Sequence, residues 1–359
     1  MKAPKTGSCF KVARSCMAAL AMLATASAGN AATLRVASSG ENFTECGRSG
    51  LVPCRSITQA IANASSGDTI IVGPGFYGDL DGSGTVGDSP GEEVPAGGIT
   101  MIDVTKKLTI ISGNGAGATV LDAAGMNTAV HIAADGVVFG KPNHGFSIKN
   151  ATSNGLYIAA ASVTARGNMA AFDVTGIIVE GAGVVLSGNA AVGNSEGIIG
   201  DTDTTITGNL LQANWTGMIV SGGSVTKNVA VDNDVGVNIS GNTLALVFNH
   251  NAVVANHSAG VQVSLPPFPT TVSVTLDHND YFGNGDRGTP WNCGLLLQAT
   301  VAGSSISVTS TNDFWGAGAP GSDPADDAGG ACNTGPGTIT LTVNTPATKE
   351  IVVKPPHIR

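Results

Sequence analysis

The sequence predicts an all-β solenoid, a single-stranded right-handed parallel β-helix opened by a short capping helix. Three observations carry this. Polar corner residues recur in pairs five apart: Asn189/Asn194, Asn209/Asn214, Asn228/Asn233, Asn251/Asn256 and Asn279/Asn284, with Asn168/Asp173 as a weaker first case. The first members step by 21, 20, 19, 23 and 28 residues. A Gly follows each second member at near-constant offset (Gly176, Gly197, Gly217, Gly236, Gly260), and short Val/Ile runs flank each pair.

A period near 20 with two marked corners fits one coil, which cannot bury its own apolar face and must stack on its neighbours. Asn suits the corners because it tolerates left-handed backbone and can bond to the same Asn one coil away. Gly is expected to serve turns that need positive φ. Leucine-rich repeats need a Leu pattern that is missing, hexapeptide coils would repeat every six residues, and propeller blades are longer. Composition agrees. Gly is 50 of 359, about twice the usual share, and charged residues are only 12%.

From the start of the chain, Lys2, Lys5, Lys11 and Arg14 precede an apolar run from Cys16 to Ala26 and then small residues. That order reads as a secretion signal over residues 1–31. Its removal takes four of seventeen basic side chains and none of the twenty-six acidic ones, leaving a net charge of −13. Such a balance excludes nucleic acid, which needs a basic footprint. No later segment is long and apolar enough to span a membrane. The expected location is periplasmic or extracellular.

Four Cys then remain, an even number in an exported chain. Cys46 and Cys54 are expected to pair across a short loop, which leaves Cys293 with Cys332. Ser56 is a candidate N-cap for a helix with Ile57, Ala60, Ile61 and Ala64 on one face. Residues 78–98 form a Gly-rich acidic excursion, expected to be a solvated loop. Coils run over 99–310, and 311–359 close the far end, with short strands at Thr338–Val343 and Glu350–Lys354. The whole of 32–359 reads as one domain.

The opening segment Cys54-Arg55-Ser56-Ile57-Thr58-Gln59-Ala60-Ile61-Ala62-Asn63-Ala64, then Gly67-Asp68-Thr69-Ile70-Ile71-Val72 and Gly75-Phe76-Tyr77, resembles the pectin-lyase-like superfamily of right-handed β-helices. The tail Asn312-Asp313-Phe314-Trp315-Gly316 through Asp323-Pro324-Ala325-Asp326 is similar to the end of exported bacterial members. The resemblance covers most of residues 33–359 and implies the fold. It implies no single activity, since that fold hosts lyases, hydrolases, epimerases, adhesins and inert scaffolds. The polygalacturonase-like set of Asn-Thr-Asp, Asp-Asp, Gly-His-Gly and Arg-Ile-Lys is missing, and His144-Gly145 with Ile148-Lys149 are fragments too close together to match. The Asp-Pro-His-Asp of mannuronan epimerases is missing too. Arg166 and Arg287 are the only coil arginines, which weakens an Arg-base lyase mechanism.

Aligned repeats give columns of candidates. The residue after each second corner reads Ser195, Trp215, Asp234 and His257, a polar column expected to face water. Trp215 would stack on a sugar ring while Asp234 and His257 bond its hydroxyls. Four residues after the corner Gly stand Glu180 and Asp201, candidate stacked carboxylates for acid–base chemistry. Before the first corner stand Lys227, His250 and His278, a candidate base and cation for proton abstraction beside a uronate carboxylate. In the excursion, Asp79, Asp81 and Asp88 resemble half of a calcium loop, without the closing Glu. These columns point to an extracellular polysaccharide that is bound or modified, with eliminative cleavage ahead of hydrolysis. The competing reading is a non-catalytic surface or periplasmic scaffold.

Overall fold

The structure is a computed structural model, and it describes residues 31–285, 293–320, 332–351 and 353–356, without the side chains of 242–245. The secretion-signal reading, Arg287 and the Asp323–Asp326 part of the tail lie outside the described residues.

The chain is a right-handed parallel β-helix with three faces, and among the described residues its strands pair in parallel, with one isolated antiparallel bridge between Ala96 and Thr100. One face stacks Thr128–Ile132, Asn154–Ile158, Thr175–Val179 and Glu196–Gly200. A second stacks Thr164–Arg166, Val185–Ser187 and Thr205–Thr207. The third is an eight-stranded sheet that includes Met169–Ala171, Ala190–Val192, Leu210–Gln212 and Val229–Val231. Two strands, Thr216–Thr226 and Val235–Asn249, run through the junction of the first two faces, with register shifts between Val220 and Ser224. Alternation on each strand sends Ile, Val and Leu inward: Leu156, Ile177, Ile198, Met218, Val237 and Val261 form one buried column.

Both corners are buried amide ladders. At the first, Asn168, Asn189, Asn209, Asn228, Asn251 and Asn279 each donate Nδ2–H to the Oδ1 of the next rung, at 2.9–3.2 Å, ending on Asp313. At the second, Asn194, Asn214, Asn233 and Asn256 do the same toward Asn284 at 2.9–3.0 Å. Each rung's main-chain N–H bonds the same oxygen. Identical rungs in register satisfy one another without water, which is what burial of an amide requires.

Two expectations about backbone need correction. The left-handed residue is the one before each corner Asn, as at Gly188, Gly208, Gly193 and Ala213, and not the Asn itself. Nor do Gly176, Gly197, Gly217, Gly236 and Gly260 serve positive φ. A Cβ on any of them would lie 2.3–2.7 Å from the next coil's Gly carbonyl or from a valine methyl, so these glycines let adjacent coils approach.

The N-terminal end is capped by the helix Ile57–Asn63, with the Ser56 hydroxyl accepting the Gln59 N–H and Ile57, Ala60 and Ile61 buried. Both expected disulfides are present, Cys46–Cys54 and Cys293–Cys332. The acidic excursion is solvated over 81–85 but anchored at its far end. Glu93 is buried and its two oxygens accept the Ile57 and Thr58 N–H groups at 2.8 and 2.7 Å, so the excursion caps the helix from outside. At the far end Thr338–Asn344 is a strand, but no strand forms at Glu350–Ile351 or Val353–Lys354. Ile351 is instead held by its N–H, which donates to both oxygens of the buried Asp280.

Candidate functional site

A groove of about 700 Å³ runs along the second corner. Its walls come from two register positions: the left-handed residue before each corner Asn, and the residue after it. The first position carries Phe172, Gly193, Ala213, Asp232 and Ala255, with φ of 52–69°. The second carries Ser195, Trp215, Asp234 and His257. Coils are about 4.8 Å apart, so Phe172 to Trp215 and Trp215 to His257 are each about 10 Å along the axis.

Two exposed aromatic rings line the groove. Trp215 is 71% exposed and Phe172 is 68% exposed. Phe172 holds φ at 61°, a strained conformation for a bulky residue that Gly193 supplies freely one coil on. Gly193 also leaves the ring its place: a Cβ there would sit 3.1 Å from Phe172 Cε1.

The polar end is built from Asp232, Asp234 and His257. His257 Nε2 lies 2.9 Å from Asp232 Oδ1. The Ser258 hydroxyl donates to Asp234 Oδ1 at 2.8 Å. The expectation of a uniformly water-facing column is therefore corrected: Trp215 is open, Asp234 half-buried and His257 buried against Asp232. Beneath the Phe172 end lies Asp173, where burial pushes the carboxyl up to about 7. Exposed rings beside oriented acceptors can hold a polyhydroxylated chain by stacking and hydrogen bonds.

The other candidates fall elsewhere. Glu180 accepts the Tyr157 hydroxyl hydrogen, one coil earlier, and Asp201 closes its own turn on the Thr202 N–H. Lys227, His250 and His278 do form one column, at the first corner, with the two imidazoles parallel at 5.1 Å. In the excursion the tight group is Asp79, Asp81 and Glu92, within 4.8 Å of one another, and Asp88 is not part of it. Those carboxylates accept loop donors: Gly82, Ser83 and Gly84 N–H reach Asp79, the Ser89 hydroxyl reaches Asp81, and Leu80 and Gly87 N–H reach Glu92. These bonds hold Glu92 below its ordinary value in spite of burial.

Three site features were missed from sequence. Phe172 and Asp232 occupy the position before the corner, which the column reading of this corner did not sample. On the outward face of the first coils, His131 Nδ1 lies 2.9 Å from Asp103 and the His131 ring stacks on Tyr157 at 4.9 Å. Those early coils lack the Asn pairs that gave the register. Among the described residues no helix is long and apolar enough to cross a membrane.

No protein-family model and no curated protein matches the chain. Two solved structures are similar to it. The crystal structure of pectate lyase Pel9A shows 16% identity over 88% of this chain and 71% of its own, with a TM-score of 0.38. The A-module of the Azotobacter vinelandii mannuronan C-5 epimerase AlgE6 shows 17% identity over 82% of this chain and 94% of its own, also with a TM-score of 0.38.

Proposed function

We propose that this chain is exported and binds an extracellular polysaccharide lengthwise in the second-corner groove. The observation that carries the reading is Trp215, a large apolar ring 71% exposed and lining a groove with Asp232, Asp234 and His257. Exposing an indole has no role in the solenoid core, and its flat face suits the apolar face of a pyranose. Phe172 offers a second ring about 10 Å away, a spacing of two sugar units at roughly one coil each. Two disulfides support an oxidising compartment. The reading needs no bound calcium.

The test is a binding screen of the purified protein against neutral and uronate-containing glycans, with product analysis in the same wells. Saturable binding without new ends identifies a binding protein. Unsaturated ends identify a lyase, and new reducing ends without unsaturation a hydrolase. No saturable binding to any glycan would overturn the reading and favour the scaffold.

A further inference from the structure

We infer that Lys227, His250 and Lys354 form an oxyanion pocket at the first corner, distinct from the groove and able to take a carboxylate or sulfate group. The backbone points to it first. The position before the first corner is Gly167, Gly188 and Gly208 in successive coils, with φ of 62–68°. The next three coils put Lys227, His250 and His278 there at φ 59°, 55° and 54°. A side chain at this conformation costs about 1 kcal/mol that glycine avoids, yet three coils in a row place a cation or an imidazole.

A cavity accompanies them. It measures about 290 Å³ and is bounded by Gly208, Lys227, His250, Ile351, Val353 and Lys354. Gly208 contributes empty space, because a Cβ there would meet nothing within 4 Å. The opposite wall is the closing segment, pinned where the Ile351 N–H donates to Asp280 Oδ1 and Oδ2 at 2.9 and 3.0 Å. Lys354 and Lys227 border the same cavity.

Charge is the second, independent observation. The chain carries 26 acidic against 17 basic side chains, yet among the described residues no carboxylate pairs with Lys227 or Lys354. The neighbouring His278 is already served: Asp277 Oδ1 lies 2.8 Å from its Nδ1, at ion-pair distance although off hydrogen-bond alignment. Two lysines and an imidazole border one cavity, and neither lysine is paired with a carboxylate among the described residues, which makes a site for an external oxyanion.

His250 stacks on His278 at 5.1 Å, its main-chain N–H donates to the Asp277 carbonyl, and its side chain borders the cavity together with Lys227 and Lys354.

Titration of the full chain with sodium sulfate and, separately, sodium acetate, read by NMR on the imidazole signals, tests this. The expected result is a saturable shift at His250, weakened about tenfold in Lys227→Gln and in Lys354→Gln, as for loss of one charge-assisted bond. Lys141→Gln, at an exposed lysine elsewhere, and Trp215→Ala should leave it unchanged, so the pocket and the groove stand or fall separately. A uronate oligomer binding at lower concentration than acetate assigns a glycan-borne group, and equal concentrations assign a free anion. No saturable shift with either salt, or equal shifts in the wild type and both lysine variants, would overturn the pocket.

Discussion

Asp173 donates its main-chain N–H to Asn194 Oδ1 at 3.0 Å, which makes it the first rung of the second-corner ladder. Its side chain does not match the rungs that follow. Asn194 and Asn214 send Nδ2–H to the next Oδ1 and to the Ala170 and Ala191 carbonyls. Asp173 puts Oδ2 in that amide position, against Gly155 as Asn194 Nδ2 lies against Gly176. Oδ2 is buried without a partner, while Oδ1 accepts the Ala151 N–H at 2.7 Å. A neutral carboxylic acid would supply the missing donor.

Asp173→Asn should therefore complete the ladder. At pH 8 it should stabilise the fold by roughly 1–3 kcal/mol, the penalty of a buried unsatisfied group. At pH 4 the gain should nearly vanish, because the native acid is then protonated. Chemical denaturation of both proteins at the two pH values checks this, and an equal effect at both would reject the protonation argument.

The wild type should lose stability between mildly acidic and neutral pH. Burial raises Asp173 and Asp280 to about 7 and Asp313 to about 6 from an ordinary 3.8. A folded pKa above the unfolded one means that the folded state holds more protons in between. The stability is full below about 4 and is lost as pH rises toward 7. Asp81, Glu92 and Asp122 are lowered and act oppositely, losing their contribution in acid. Melting temperature should peak near pH 4–6 and fall by pH 8, by several degrees.

Asn209→Ala tests the ladder interior. Asn209 Nδ2 donates to the Leu186 carbonyl and to Asn228 Oδ1, and its Oδ1 accepts from the main chain and amide of Asn189. Losing them should cost roughly 1–3 kcal/mol in urea unfolding. Glycan affinity should not change, since the residue is wholly buried.

Phe172→Gly separates strain from function. The ring is exposed and its backbone sits at φ 61°, so glycine should leave the melting temperature unchanged or raise it slightly, relieving about 1 kcal/mol. Glycan affinity should fall by several-fold. A clear loss of stability with full affinity would make the ring a structural cover for Gly193.

What the sequence disclosed follows from how the fold repeats. Asn pairs five apart were legible because each ladder needs the same residue in every coil, and counting from them aligned Trp215, Asp234 and His257. Phe172 and Asp232 escaped because the position before the corner varies freely in type and is constrained only in backbone. Asp173 was visible as an irregular rung, but its orphaned oxygen depends on ladder polarity, which spacing does not encode. The excursion read as solvated because its composition is acidic, whereas Glu92 and Glu93 are buried by bonding N–H groups of the loop and the capping helix. Glu180 and Asp201 share a column, yet side-chain reach sent one back to Tyr157 and the other to its own turn.

The central claim is that Trp215 holds a glycan, and one variant tests it most directly. Trp215→Ala, compared with the wild type for melting temperature and for affinity toward whichever glycan the screen returns, should lose roughly 1–3 kcal/mol of binding, the range of a truncated aromatic anchor. Its melting temperature should barely move, because the side chain is 71% exposed. Unchanged affinity with a clear drop in melting temperature would contradict the account, placing Trp215 among the residues that hold the coil together.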